Sequence, residues 1–139
     1  MAALTPFLMF QNGQARPAIA SAVAAFTAAG LPAQIESEKL SGPEGPGPEG
    51  TVMAGFVVLA GQRLRYFDSP APHAFDFTPS LSLFVDADSE EQVRTLAAAI
   101  GEGGQVMMPV GEYPFSPCFG WVNDSFGVRP GRATVLPVL

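Results

Sequence analysis

The feature that most constrains this chain is a repeat. Residues 6–30 and 79–103 share one spacing: a short apolar run, a turn signal, a helical stretch and a glycine stop. Leu8 falls opposite Leu81, Val23 opposite Leu96, and Ala24 opposite Ala97. Three strand-like runs follow each copy, so the chain reads as β-α-β-β-β written twice. The matched lengths and common order favour duplication over two chance strand–helix pairs.

Each copy can be read residue by residue. Phe7-Leu8-Met9-Phe10 is a buried strand that ends at the turn signal Asn12-Gly13. Residues 15–29 form a helix, with Pro17 tolerated in the first turn and Ile19, Val23 and Phe26 on one face. Gly30 stands where a C′ residue with positive φ belongs, and the many alanines predict close packing on a sheet. Residues 33–40 make a strand with Glu36 and Glu38 on its wet side. The glycines and prolines of 41–50 then make a mobile loop. Residues 51–59 and 63–68 form a hairpin around Ala60-Gly61-Gln62.

The second copy begins after a proline-rich connection, 69–79, that carries the single histidine, His73. A strand over 81–85 precedes Ser89-Glu90-Glu91-Gln92, a capping box whose serine and glutamine side chains satisfy free backbone donors. Val93, Leu96, Ala97 and Ile100 recur at helical spacing, and Gly103-Gly104 stops the helix. Strands over 105–110, 118–123 and 134–139 complete the set, with a turn at Asp124-Ser125-Phe126-Gly127.

Charge and size narrow the function. At 139 residues the chain suits one domain, organised as a first module over about 4–68 and a second over about 79–139. A net charge of −6 excludes nucleic acid as a partner, because phosphates demand a basic surface. One cysteine, Cys118, excludes an internal disulfide and a multi-cysteine zinc site. The opening residues lack a signal peptide's basic region and apolar run, and no stretch reaches the roughly 20 apolar residues of a membrane span. A cytoplasmic protein with no membrane partner is expected.

Candidate site residues are few. His73 titrates near neutrality and suits a general base, although a loop histidine between prolines is the plainer reading. Asp68 ends a strand, and Asp68, His73 and Asp76 are the one local set with metal-ligating chemistry, with no element to hold their spacing. Gln11 and Asn12 end the first strand, where Gln11 suits a ligand contact and Asn12 a turn. Tyr113 and Trp121 lie in an aromatic stretch that suits either a small-molecule pocket or a core. No basic neighbour activates Cys118, which reads as a buried thiol.

Local wording resembles one family. Phe10-Gln11-Asn12-Gly13-Gln14-Ala15, Phe67-Asp68-Ser69-Pro70 and Phe75-Asp76-Phe77-Thr78-Pro79 resemble the PhnB-like branch of the vicinal oxygen chelate superfamily. So do Gly103-Gly104-Gln105-Val106, Met108-Pro109, Glu112-Tyr113-Pro114-Phe115 and Phe119-Gly120-Trp121-Val122-Asn123-Asp124 with Phe126-Gly127-Val128. That superfamily includes glyoxalases, extradiol dioxygenases and bleomycin-resistance proteins. The resemblance implies an α+β fold in which two βαβββ modules form curved mixed sheets around a cavity, commonly in a homodimer.

Metal-dependent members hold a divalent ion through histidine, glutamate or glutamine. The strand starts around Thr5 and Ser80 carry no histidine, and Arg129-Pro130-Gly131-Arg132 stands where a ligand-bearing segment is expected. No metal and no cofactor are therefore expected. The resemblance implies a binder of a small organic molecule in an apolar cavity, with Gln11, Asp68, Tyr113 and Trp121 as contacts. The alternative is a metal-assisted lyase or dioxygenase using Asp68 with Gln11 or His73. Sequences of this branch are often labelled 3-demethylubiquinone-9 3-methyltransferase. Methyl transfer is a third reading, but the glycines of 42–50 alternate with prolines and precede a strand rather than a helix. Whether the chain is catalytic stays open on these residues.

Overall fold

The computed structural model describes residues 1–77 and 81–126, together with the backbone of Thr134–Val138. Ser80, the Arg129-Pro130-Gly131-Arg132 segment and Gly127 of the expected turn lie outside the described residues. The elements run β1 (Phe7–Phe10), α1 (Ala15–Ala28), β2 (Ala33–Leu40), β3 (Val52–Leu59), β4 (Gln62–Asp68), β5 (Ser82–Asp86), α2 (Glu90–Gly101), β6 (Gln105–Tyr113), β7 (Ser116–Asn123) and β8 (Thr134–Val138). They form two mixed four-stranded sheets with strand orders β1-β4-β3-β2 and β5-β8-β7-β6. In both sheets the first strand lies parallel to the last, and the other neighbours are antiparallel. This is the same βαβββ path taken twice. Close contacts divide the chain into Met1–Ala24 with Leu31–Asp76, and Ala25–Gly30 with Phe77–Leu139. No helix among the described residues is long and apolar enough to cross a membrane.

In the first unit, register sorts side chains by face. Gly55 pairs with Tyr66 and Val57 with Leu64, while Leu8 neighbours Tyr66 and Phe10 neighbours Asp68. Leu8, Phe10, Val57, Leu64, Tyr66 and Asp68 are all buried. A Cβ on Gly55 would enter the Tyr66 ring, so only glycine fits beneath that tyrosine. The other face carries Phe7, Met9, Phe56, Arg63, Arg65 and Phe67, which are exposed or half-buried. The β3–β4 turn places Ala60 at φ 49° and Gly61 at φ 86°, the two positive values of a type I′ hairpin.

α1 buries Ala15, Ala18, Ile19, Ala25 and Phe26, and Ala29 just beyond its end continues the stripe. Val23, expected on that face, is only half-buried, as is Ala22 beside it. The stop at Gly30 has φ 80°, and its counterpart Gly103 has φ 72°. Glu38 departs from the expected wet side of β2. A bulge between Ile35 and Ser37 turns it toward Tyr66 and leaves its side chain 14% exposed. The loop after β2 is tied at its neck, where Ser41 N donates to Thr51 O at 2.8 Å and Gly50 N to Ser41 O at 2.9 Å.

The second unit repeats the plan with changes. α2 is capped by Ser89, whose Oγ accepts from Gln92 N at 3.2 Å, while Gln92 Oε1 accepts from Asp88 N at 2.7 Å. Val93, Leu96, Ala97 and Ile100 are buried as their spacing predicts. Leu81, by contrast, is exposed just before β5, whereas Leu8 is buried in β1, so the repeat holds in topology and slips in register. β6 is an edge strand with three register shifts, which lets Pro109 sit in it without a ladder hydrogen bond to give.

Candidate functional site

The ends of the parallel pair β1 and β4 meet beside the first turn of α1. That turn contains no acidic residue of its own. Asp68 supplies the charge from β4: Oδ1 accepts from Ala15 N at 2.9 Å and Oδ2 from Val52 N at 2.8 Å. The carboxylate is buried and both oxygens satisfy buried backbone donors, at the helix end where negative charge is favoured. Asp68 is thus a joint between α1, β3 and β4.

Gln11 has a comparable task. Its Nε2 donates to Phe75 O at 2.9 Å and its Oε1 accepts from His73 N at 2.8 Å. The amide therefore holds the central connection against the end of β1. His73 is exposed, stacks on Phe75 with centroids 4.8 Å apart, and lies 2.8 Å from Ser69 Oγ through Nε2. Ser69 Oγ also donates to Ala71 O at 2.9 Å, so its single proton is already engaged. Asn12 has φ 59° ahead of Gly13 at φ 68°, a turn role. Gln11, Asn12, Gly13, Pro48, Thr51 and Asp68, together with residues 69–72, line an open cleft of about 420 Å³.

These donors do not fit a resident divalent ion. Among the described residues no three His, Cys, Asp or Glu side chains converge, and Asp68, His73 and Asp76 are not brought together as a ligand set. Asp68 is committed to two amides, the Gln11 side chain to two backbone groups and His73 Nε2 to a hydroxyl. Freeing any of them for a metal would leave a donor or acceptor of the chain unpaired.

A charged chain of contacts lies on the buried face of the same sheet. Tyr66 OH donates to Glu38 Oε1 at 2.8 Å, and Arg16 Nε sits 3.3 Å from Glu38 Oε2. Burial raises the Tyr66 phenol well above its ordinary range, the Glu38 hydrogen bond and charge add to this, and Arg16 opposes it.

The opposite, open face of the first sheet has a different character. Phe7 is 62% exposed and stacks on Phe67 with centroids 4.9 Å apart. The Arg63 and Arg65 guanidinium carbons lie 3.9 and 4.7 Å from the Phe56 centroid. A pocket of about 190 Å³ opens there, lined by Phe7, Met53, Ala54, Gly55, Arg65 and Tyr66. Sequence reasoning missed this face. Its signal was the alternation Arg63, Arg65, Phe67 against Leu64, Tyr66, Asp68, which sends the first three to one side.

In the second unit, Tyr113 OH donates to Pro109 O at 2.6 Å, and its ring stacks on Phe115 and meets Phe119 edge-on, both at 5.6 Å. Trp121 pairs in register with Met108, and its buried Nε1 has no hydrogen-bond partner among the described residues. Tyr113 pairs with Ser116, five positions from Trp121 along β7, and the edge-on Phe119 stands two residues before Trp121 on that strand. Cys118 is a buried free thiol.

Residues 2–129 match the protein family described as 3-demethylubiquinone-9 3-methyltransferase. Among solved structures, the chain is similar to the PhnB protein of Bacillus cereus, with 36% identity, 99% of both chains covered and a TM-score of 0.87. A protein from Pseudomonas aeruginosa shares 23% identity over 99% of this chain and 97% of its own, with a TM-score of 0.76. A glyoxalase family protein from Enterococcus faecalis shares 16% identity over 99% and 97%, with a TM-score of 0.54. The last two show the fold alone. No curated protein matches the chain.

Proposed function

This chain belongs to the 3-demethylubiquinone-9 3-methyltransferase family, with PhnB-like and glyoxalase-fold relatives, and on that premise we propose that it binds a small organic molecule non-covalently. The observation that carries this reading is the open face of the first sheet. Phe7 begins a core strand yet stays 62% exposed, stacked on Phe67 beside a pocket of about 190 Å³. Aromatic walls with one or two polar groups are what small-molecule sites use. In this reading Phe7, Phe67 and Arg65 touch the ligand, and Gln11 and Asp68 position the strand ends behind them.

The family's name denotes methyl transfer, and we do not assign that activity. The amino end of α1 would have to offer free N–H groups to an anionic part of a methyl donor, and there the Asp68 carboxylate already stands. Metal-assisted chemistry is likewise not assigned, because Asp68 and Gln11 serve the backbone and His73 Nε2 meets the Ser69 hydroxyl.

A homodimer belongs to the same proposal. Phe84, Val106 and Phe115 are each more than half exposed, and exposed large apolar side chains of this kind favour association. A reducing, cytoplasmic location is part of the same proposal, and it suits the free Cys118 thiol. Native mass spectrometry of protein purified without chelators tests the reading. The expected spectrum is a dimer carrying a substoichiometric organic adduct. One divalent ion per subunit would overturn it in favour of a metal-assisted enzyme.

A further inference from the structure

The open face of the first sheet also specifies what kind of molecule it takes, an inference that rests on the binding reading above. Two guanidinium groups flank the Phe56 ring, and they are not equivalent. Arg63 Nε is 3.1 Å from Glu36 Oε2, so its charge is met within the sheet. Arg65 has no carboxylate within ion-pair distance among the described residues, in a chain of net charge −6 with 13 acidic side chains. Its register neighbours on either side are Phe7 and Phe56. The pocket of about 190 Å³ opens between Arg65, Phe7, Met53 and Ala54.

We propose that this pocket binds an organic carboxylate, with the carboxylate on the Arg65 guanidinium and an aromatic or other apolar body against Phe7 and Met53. The Arg65 guanidinium carbon lies 4.7 Å from the Phe56 centroid, a cation–π contact, and a guanidinium's planar fork matches a carboxylate with two parallel hydrogen bonds. The exposed Phe7–Phe67 stack supplies the apolar wall, which a free inorganic anion would leave wet. The volume falls below the roughly 300–1,000 Å³ of drug-sized sites, so the acid is small, with one or two rings. Glu36 stays with Arg63 and does not compete.

Titration calorimetry on the full chain, with 2-naphthoate and its neutral isostere 2-naphthamide, tests this. The acid is expected to bind at least about tenfold more tightly than the amide, with the difference shrinking as salt rises. Arg65→Gln brings the acid down to the amide's affinity, Arg65→Lys keeps part of the difference, and Phe7→Ala weakens both compounds alike. Arg65 is exposed, so these variants are expected to keep the wild-type thermal midpoint, which is measured alongside. Equal binding of acid and amide, or an Arg65→Gln protein that still prefers the acid, overturns the carboxylate assignment. Loss of both compounds in Phe7→Ala would then still uphold the apolar-face reading. If neither compound binds the wild-type protein, the carboxylate assignment falls, and the mass spectrum judges the binding reading separately.

Discussion

At the scale of the residue, the instructive case is Asp68. A carboxylate at a strand end near a presumed cavity invites a catalytic or ligand role. Its two oxygens instead serve amides at Ala15 and Val52, the first of them 53 positions away in sequence. Asp68→Asn turns an NH₂ group toward one of those N–H donors, and the expected loss is about 2 kcal/mol, read as a lower urea midpoint. A side chain with no structural task would leave that midpoint unmoved. Tyr66 makes a second prediction, about pH. Its raised pKa means the folded chain keeps a proton that the unfolded chain gives up above about pH 10. Stability is therefore full below that value and falls as pH rises through it. The thermal midpoint should drop steadily above it in the wild type, and less steeply in Tyr66→Phe.

At the scale of the element, the sequence was read well where a few adjacent residues decide. β1, β2 and the start of α1 stand where the apolar runs and turn residues put them, and the Ser89 cap holds α2. Where it misread, the cause lay in pairing. The bulge in β2 swings Glu38 into contact with Tyr66, and three register shifts carry β6 on to Tyr113 rather than ending it at Val110. Neither is visible without the partner strand. The β3–β4 turn offers a test: Ala60 sits at φ 49°, a conformation that costs an L-residue energy and suits asparagine or glycine. Ala60→Asn is expected to stabilise the protein by about 0.5–1 kcal/mol, measured as a higher denaturant midpoint. An unchanged or lower midpoint would mean that the turn is not the strained point of the hairpin.

At the scale of the whole molecule, the chain itself determined the architecture. Spacing, turn glycines and periodicity are local properties, and they were enough to read βαβββ twice, while the family was named by the resemblance of short segments such as Phe119–Asp124. The candidate site was legible only as a set of positions. Gln11, Asp68 and His73 do come to one end of the first sheet, but their chemistry depends on which backbone groups arrive opposite them. Tyr113 and Trp121 were grouped by closeness in sequence, and the β6–β7 ladder sets them opposite Ser116 and Met108 respectively. The open face carrying Phe7, Phe67 and Arg65 is assembled from two parallel strands that are far apart in the chain. Hydrophobic pattern and turn chemistry act between neighbours and so can be read from the sequence alone. Which polar atoms are spent on the backbone, and which remain for a ligand, is set by long-range register, and only the tertiary structure decided it.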